Sequence, residues 1–126
     1  MKYNIGLLSA MPEEIGLTLN NLENLKKTSY GSLEIFAGNW MGLESKGIEV
    51  NIITAWSGWG KVNAAYATTR LIAQANKQKL DLDFILLTGL AGAADPELKQ
   101  WDVVVATSFV QHDMDARPIY KKYVIP

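Results

Sequence analysis

Three apolar runs of only five or six residues constrain this chain more than any other feature: Ile5-Gly6-Leu7-Leu8-Ser9-Ala10, Phe84-Ile85-Leu86-Leu87-Thr88 and Asp102-Val103-Val104-Val105-Ala106. Continuous apolar stretches of this length suit strands covered on both faces, as in parallel sheets flanked by helices. The segments between them alternate in period. Pro12 suits a first helical turn, Glu13 and Glu14 favour its positive end, and Ile15, Leu17, Leu19 and Leu22 extend an apolar face to about Leu25. Leu33 to Trp40 and Ile48 to Trp56 read as strands of an antiparallel hairpin, with turn signals at Gly38-Asn39 and Lys46-Gly47. Lys61 to Gln78 is the clearest helix, with Val62, Ala65, Tyr66, Thr69, Leu71 and Ile72 near helical spacing. The order predicts an α/β domain over residues 1–126, with a mixed central sheet flanked by helices.

Charge and residue counts narrow the function. Twelve Lys+Arg against 13 Asp+Glu leave a net charge of -1, without the cationic footprint that nucleic-acid binders use to neutralise phosphates. Zero Cys excludes a disulfide scaffold, a thiolate zinc site and a thiol nucleophile, and a single His excludes a multi-His metal site within one chain. No segment reaches the roughly 18 consecutive apolar residues of a membrane span, so no membrane partner is expected. The start, Met1 to Leu8 followed by Pro12-Glu13-Glu14, lacks the form of a signal peptide and predicts a cytoplasmic protein.

Four segments are candidates for chemistry. The turn Ser9-Ala10-Met11-Pro12-Glu13-Glu14 follows the first strand, where open α/β sheets bind ligands. Its acids can point into that crevice, or can merely complement the helix dipole. Ser57-Gly58-Trp59-Gly60-Lys61-Val62 is a glycine-rich strand-to-helix turn. The Walker pattern fails there, because Ala55 and Val62 stand where Gly and Ser or Thr are needed, so a ligand turn and a plain tight turn both fit. Thr88-Gly89-Leu90-Ala91-Gly92-Ala93 is no dinucleotide fingerprint, but its small residues could pack flat against a planar ring. In Gln111-His112-Asp113-Met114-Asp115, a His–carboxylate hydrogen bond stiffening a loop is favoured over metal ligation.

In this order and spacing, the four segments resemble the methylthioadenosine/S-adenosylhomocysteine nucleosidases of the nucleoside phosphorylase superfamily. Ala10-Met11-Pro12-Glu13-Glu14 is similar to the family's Ala-Met-Glu-Glu-Glu turn, and Ser57-Gly58-Trp59-Gly60-Lys61-Val62 to its Ser-Gly-Ile-Gly-Lys-Val stretch. Thr88-Gly89-Leu90-Ala91-Gly92 is similar to Thr-Gly-Ser-Ala-Gly, and Asp102 to Ala106 leads on to His112-Asp113-Met114-Asp115. The resemblance implies the N-terminal half of that fold and hydrolysis of the bond between adenine N9 and ribose C1′, without cofactor or metal. It implies that Glu14 orients and deprotonates the attacking water. Ala10, Met11 and Trp59 would line the ribose and water region, Leu90, Ala91 and Gly92 the purine side, and Pro118, Ile119 and Tyr120 a neighbouring subunit's alkylthio pocket.

The departures carry information too. Family members are about twice as long, and their second half supplies the Asp that protonates adenine and a Met-Glu segment for the ribose hydroxyls. Asp113 and Asp115 do not match that Asp. Leu90 replaces a small polar residue, and Trp59 is bulkier than the usual aliphatic one. Glu13 and Glu14, with no Arg before Arg70, would repel phosphate, which favours hydrolysis over phosphorolysis. The alternatives are another superfamily member, either a purine nucleoside phosphorylase or a futalosine-type hydrolase, and a non-catalytic truncated fragment that pairs with itself or another chain. Two helices cover too little of so apolar a sheet, so a homodimer or a missing second half is expected to cover it, the homodimer with His112 to Pro126 reaching across.

Overall fold

The computed structural model describes residues 1–124; Ile125 and Pro126, the end of the segment expected to reach a partner, lie outside the described residues. The chain divides into two compact units, Met1–Ala91 and Gly92–Pro126.

In the first unit, β1 (Lys2–Ser9), β2 (Leu22–Tyr30), β3 (Leu33–Trp40), β4 (Glu49–Trp56) and β5 (Phe84–Leu87) form one sheet in the order β2-β3-β4-β1-β5. β1 runs parallel to both β4 and β5, whereas β2, β3 and β4 form an antiparallel meander. The sheet is therefore mixed, as its strand pattern predicts. The expected hairpin of β3 and β4 is present, and α2 (Lys61–Lys77) makes the crossover between the parallel strands.

The two faces of the sheet are covered unequally. Leu8, Leu33, Ile35, Ala37, Ile53 and Ala55 meet Ala67, Leu71 and Ala75 of α2, and these helix residues are fully buried. Alanines at two of the three contact positions let the helix lie close, and Leu71 fills the remaining depth. On the opposite face Leu7, Leu22, Val50 and Ile52 form a second cluster, flanked by Ile5, Leu19, Trp40, Leu43 and Ile48. Near the amino ends of β1 and β4, beside the carboxyl end of β3, the register aligns three amides. Asn39 Nδ2 donates to Asn51 Oδ1 at 2.6 Å, and Asn51 Nδ2 donates to Asn4 Oδ1 at 2.7 Å. Slipping one strand by a residue would break this chain and turn its apolar side chains to the wrong face.

Three expected elements are different. The helix expected from Pro12 to Leu25 is a single turn, α1 (Pro12–Ile15), followed by a 3-10 segment over Gly16–Asn21. Gly16 sits at φ 46, outside helical space, and the chain from Leu22 onward gains more by pairing with β3 than helix propensity can return. β2 is an edge strand, mostly exposed, whose Lys26 and Lys27 are the charged kind of residue that blunts an edge; Lys27 pairs with Glu34 across the ladder. β5, expected to be buried, is exposed along its length because it closes the other edge.

The third difference is Asp102 to Ala106, expected as a strand, which has no strand structure. A strand is stable only when its N–H and C=O groups meet a neighbouring ladder, and an apolar sequence alone supplies none. The whole second unit is built this way among the described residues. Its hydrogen bonds are local turns, such as Met114 N–H to Gln111 O at 3.1 Å and Tyr120 N–H to Ala116 O at 3.1 Å. Among the described residues no helix is long and apolar enough to cross a membrane.

Candidate active site

Parallel pairing places the carboxyl ends of β4, β1 and β5 side by side, and the ladder continues into the loops beyond them. Ser57 N–H donates to Ser9 O at 2.8 Å, Gly58 N–H to Ala10 O at 3.0 Å, and Thr88 N–H to Leu8 O at 2.9 Å. Three of the four candidate segments thus meet at one edge of the sheet. The turn after β1 is closed from within, because the fully buried Ser9 hydroxyl donates to Met11 O at 2.9 Å. Met11 is extended, at φ -131, and caps α1; Pro12, which has no N–H to satisfy, opens it.

This turn folds Glu14 back over its own entry. Glu14 Oε2 accepts the backbone N–H groups of Ala10 at 2.8 Å and Met11 at 3.0 Å. Oε1 accepts the N–H of Leu90, from the loop after β5, at 3.1 Å. The Leu90 N–H lowers the pKa of this carboxyl most; partial burial opposes it, and the Met11 and Ala10 N–H groups add to the lowering. Glu14 is therefore an anion at neutral pH. A carboxylate offers about four acceptor sites, and with three filled, one remains on Oε1 for a water or a hydroxyl.

Beside Glu14 a cavity of about 410 Å³ runs along the sheet face opposite α2, from Leu43 and Val50 to Glu14 and Thr88. That is the size of a small-molecule pocket. Its walls are largely apolar, and Glu14 is the one charged side chain lining it among the described residues.

The other expected site residues divide. Ala10 and Met11 belong to the cradle through their N–H groups. Leu90 does too, although its side chain is 83% exposed, so the backbone and not the substituted side chain is what this position contributes. Trp59 is exposed and lies outside the cavity lining; its carbonyl accepts Asn63 Nδ2 at 2.8 Å, which fixes the start of α2. Ala91 is exposed at the end of the first unit, and Gly92 opens the second. Pro118, Ile119 and Tyr120 lie in an exposed turn of the second unit.

Asp115, one of the two carboxylates near His112 in sequence, takes Arg117, whose Nε and Nη2 donate at 2.8 and 2.5 Å. A guanidinium two residues away presents a matching fork, which an imidazole cannot. Among the described residues no group of three His, Cys, Asp or Glu side chains could hold a metal ion. Arg70, the first arginine in the chain, places its guanidinium carbon 5.1 Å from the Tyr30 ring centre and 5.3 Å from that of Tyr66. Sequence reasoning missed Ser9 as the internal brace of the turn and Gly89 as a neighbour of Glu14. The small residue after an apolar strand was the available signal for both.

Residues 4–126 match the family model of the phosphorylase superfamily. The chain is 32% identical to a 5′-methylthioadenosine/S-adenosylhomocysteine nucleosidase of Hydrogenovibrio crunogenus, over 97% of its own length and 48% of that protein's. It superposes on such a nucleosidase from Colwellia psychrerythraea, solved in complex with adenine, with a TM-score of 0.85, 28% identity, and coverage of 100% of this chain and 48% of the other. It also superposes on the futalosine hydrolase of Helicobacter pylori, with a TM-score of 0.77 at 30% identity, covering 98% of this chain and 49% of that one. The chain spans about half the length of the curated relatives it matches.

Proposed function

The chain belongs to the phosphorylase superfamily, and from that premise we propose that it is the water-activating half of a nucleosidase that releases adenine from 5′-methylthioadenosine or S-adenosylhomocysteine. The observation that carries this reading is the Glu14 carboxylate, ionised and held by three backbone N–H groups at the edge of an apolar cavity. Cleavage of an N-glycosidic bond builds positive charge on the sugar ring. A fixed carboxylate near C1′ stabilises that charge and aligns a water on its free Oε1 site. Three N–H donors make Glu14 a weak base toward ordinary water. Water adding to a cationic carbon becomes strongly acidic, so proton transfer to Glu14 follows bond formation and does not need to precede it.

Hydrolysis is favoured over phosphorolysis by the charges. Glu13 and Glu14 stand together at the turn, where their negative charge opposes a phosphate nucleophile. The acid that the resemblance assigns to adenine protonation falls in the half of the relatives that this chain does not match. Complete turnover is proposed to need that acid as well as Glu14. Ala10, Met11, Trp59, Leu90, Ala91 and Gly92 are proposed to line the substrate. Pro118, Ile119 and Tyr120 are proposed to meet a second copy, a role that fits the 82% exposure of Ile119.

The test joins this chain to the second half of the Hydrogenovibrio relative and follows adenine release from methylthioadenosine. Glu14→Gln is expected to lower turnover on the order of 10²-fold or more while substrate binding persists, because an amide holds water but cannot take its proton. Near-normal turnover in that variant removes Glu14 from the mechanism. Phosphate should not stimulate the reaction; a pentose 1-phosphate as main product would move the chain to the phosphorylase reading.

A further inference from the structure

Resting on the reading of Glu14 just given, we propose that Gly89 is a positioning residue, present as glycine so that the Glu14 carboxylate can reach the N–H of Leu90. A Cβ built on Gly89 would lie 2.9 Å from Glu14 Oε1, 3.2 Å from its Cδ and 3.4 Å from Oε2, with no other atom among its three nearest. The backbone offers no competing reason for a glycine here. The φ of Gly89 lies outside the left-handed region, so an alanine could adopt the conformation unstrained.

Which side would yield follows from what holds each. Thr88 N–H is tied to Leu8 O at 2.9 Å, which continues the ladder of β1 and β5 up to the residue before Gly89. The carboxylate is the far end of a flexible side chain, attached by hydrogen bonds alone. An added methyl group would therefore push Glu14 away from Leu90 and leave the sheet intact. The missing Cβ thus serves the seat of the acid and contributes little to the stability of the fold. The consequence for chemistry is specific. Glu14 released from Leu90 loses its strongest charge-stabilising contact and the orientation of its free acceptor site.

The experiment compares the chain with its Gly89→Ala variant, using 13C-labelled glutamate to follow the Glu14 carboxyl by NMR through a pH titration. In Gly89→Ala the Glu14 titration is expected to move upward, toward that of an ordinary glutamate, because the Leu90 N–H contact is lost while those of Ala10 and Met11 remain. The melting temperature should fall by less than about 4 °C. An unchanged Glu14 titration in a folded Gly89→Ala chain overturns the proposal. A second pair guards against a general disturbance: in a Glu14→Ala background, Gly89→Ala should leave the melting temperature nearly unchanged. A large further change there means that the methyl group acts on the strand end itself, and also overturns it. In the joined form active on methylthioadenosine, Gly89→Ala should lower kcat with KM little changed. Neither titration needs substrate, so failure of the hydrolase reading and failure of this one are separately visible.

Discussion

Ile52-Ile53-Thr54-Ala55 in β4 and Val103-Val104-Val105-Ala106 in the second unit are nearly equivalent as sequence, and the structure treats them oppositely. The first lies between β3 and β1 with both edges paired, and its residues are buried. The second has no strand structure, with Val103 93% and Val105 85% exposed. Apolar β-branched residues lower the cost of an extended backbone and fit a pleated surface, but the ladder that fixes them is a property of neighbours. The unit Met1–Ala91 is tied by pairings between residues far apart in sequence, such as Lys2 with Glu49 and Ile5 with Phe84. The unit Gly92–Pro126 is tied, among its described residues, by turns such as Val124 N–H to Lys121 O at 3.1 Å.

The largest contrast should appear in amide hydrogen exchange. Backbone N–H groups of Ile52 to Ala55 open only with the sheet, whereas those of Val103 to Val105 have no ladder to open. Rates are expected to differ on the order of 10³-fold or more, the factor set by a marginally stable domain. Comparable protection in the two segments would break the comparison outright.

Side-chain truncation sharpens it at an intermediate scale. Leu71→Ala removes a fully buried side chain between α2 and the sheet, and should cost about 2–5 kcal/mol in urea unfolding. Ile119→Ala removes one that is 82% exposed, and should stay within about 0.5 kcal/mol. If the two changes cost the same, the second unit has a core in solution that the chain alone does not display.

The smallest effect is electrostatic. Glu14 in the first unit and Asp115 in the second both have a lowered pKa: Glu14 through the Leu90 N–H first, with the Met11 and Ala10 N–H groups adding to it against some burial, and Asp115 through the Arg117 guanidinium first and the Arg117 N–H second. A carboxyl whose folded pKa is depressed adds stability above its unfolded pKa, and loses it as pH falls through the folded one. Both contributions should therefore vanish below the ordinary carboxylate range. Salt tells them apart. Near 1 M, where screening acts over about 3 Å, the Asp115 titration should climb back toward normal while Glu14, held by backbone dipoles, moves less. Equal salt shifts would mean that Glu14 depends on a charge and not on its cradle.

Much of the first unit was legible because its periods are strong. The strands Leu33–Trp40 and Glu49–Trp56, the helix Lys61–Lys77 and the strand at Phe84 follow from alternation, helical spacing and turn residues. The helix reading past Ile15 failed because Leu17, Leu19 and Leu22 suit a helical face and a strand-and-turn segment alike. The deciding fact was a partner strand for Leu22 to Tyr30. The reading of Asp102 to Ala106 failed for the converse reason, since no partner strand is supplied to it.

By itself, then, the sequence determined where apolar strands end and small-residue turns begin, and so which three turns could meet at the carboxyl edge of a parallel sheet. It also determined that an acid stands in the first of them. Only the tertiary structure decided what that acid touches. Leu90 is 76 residues from Glu14 along the chain, and parallel pairing of β1 with β5 is what brings its N–H to 3.1 Å. A hydrogen bond requires placement within a few tenths of an ångström, and residue spacing carries no such information across so long a loop.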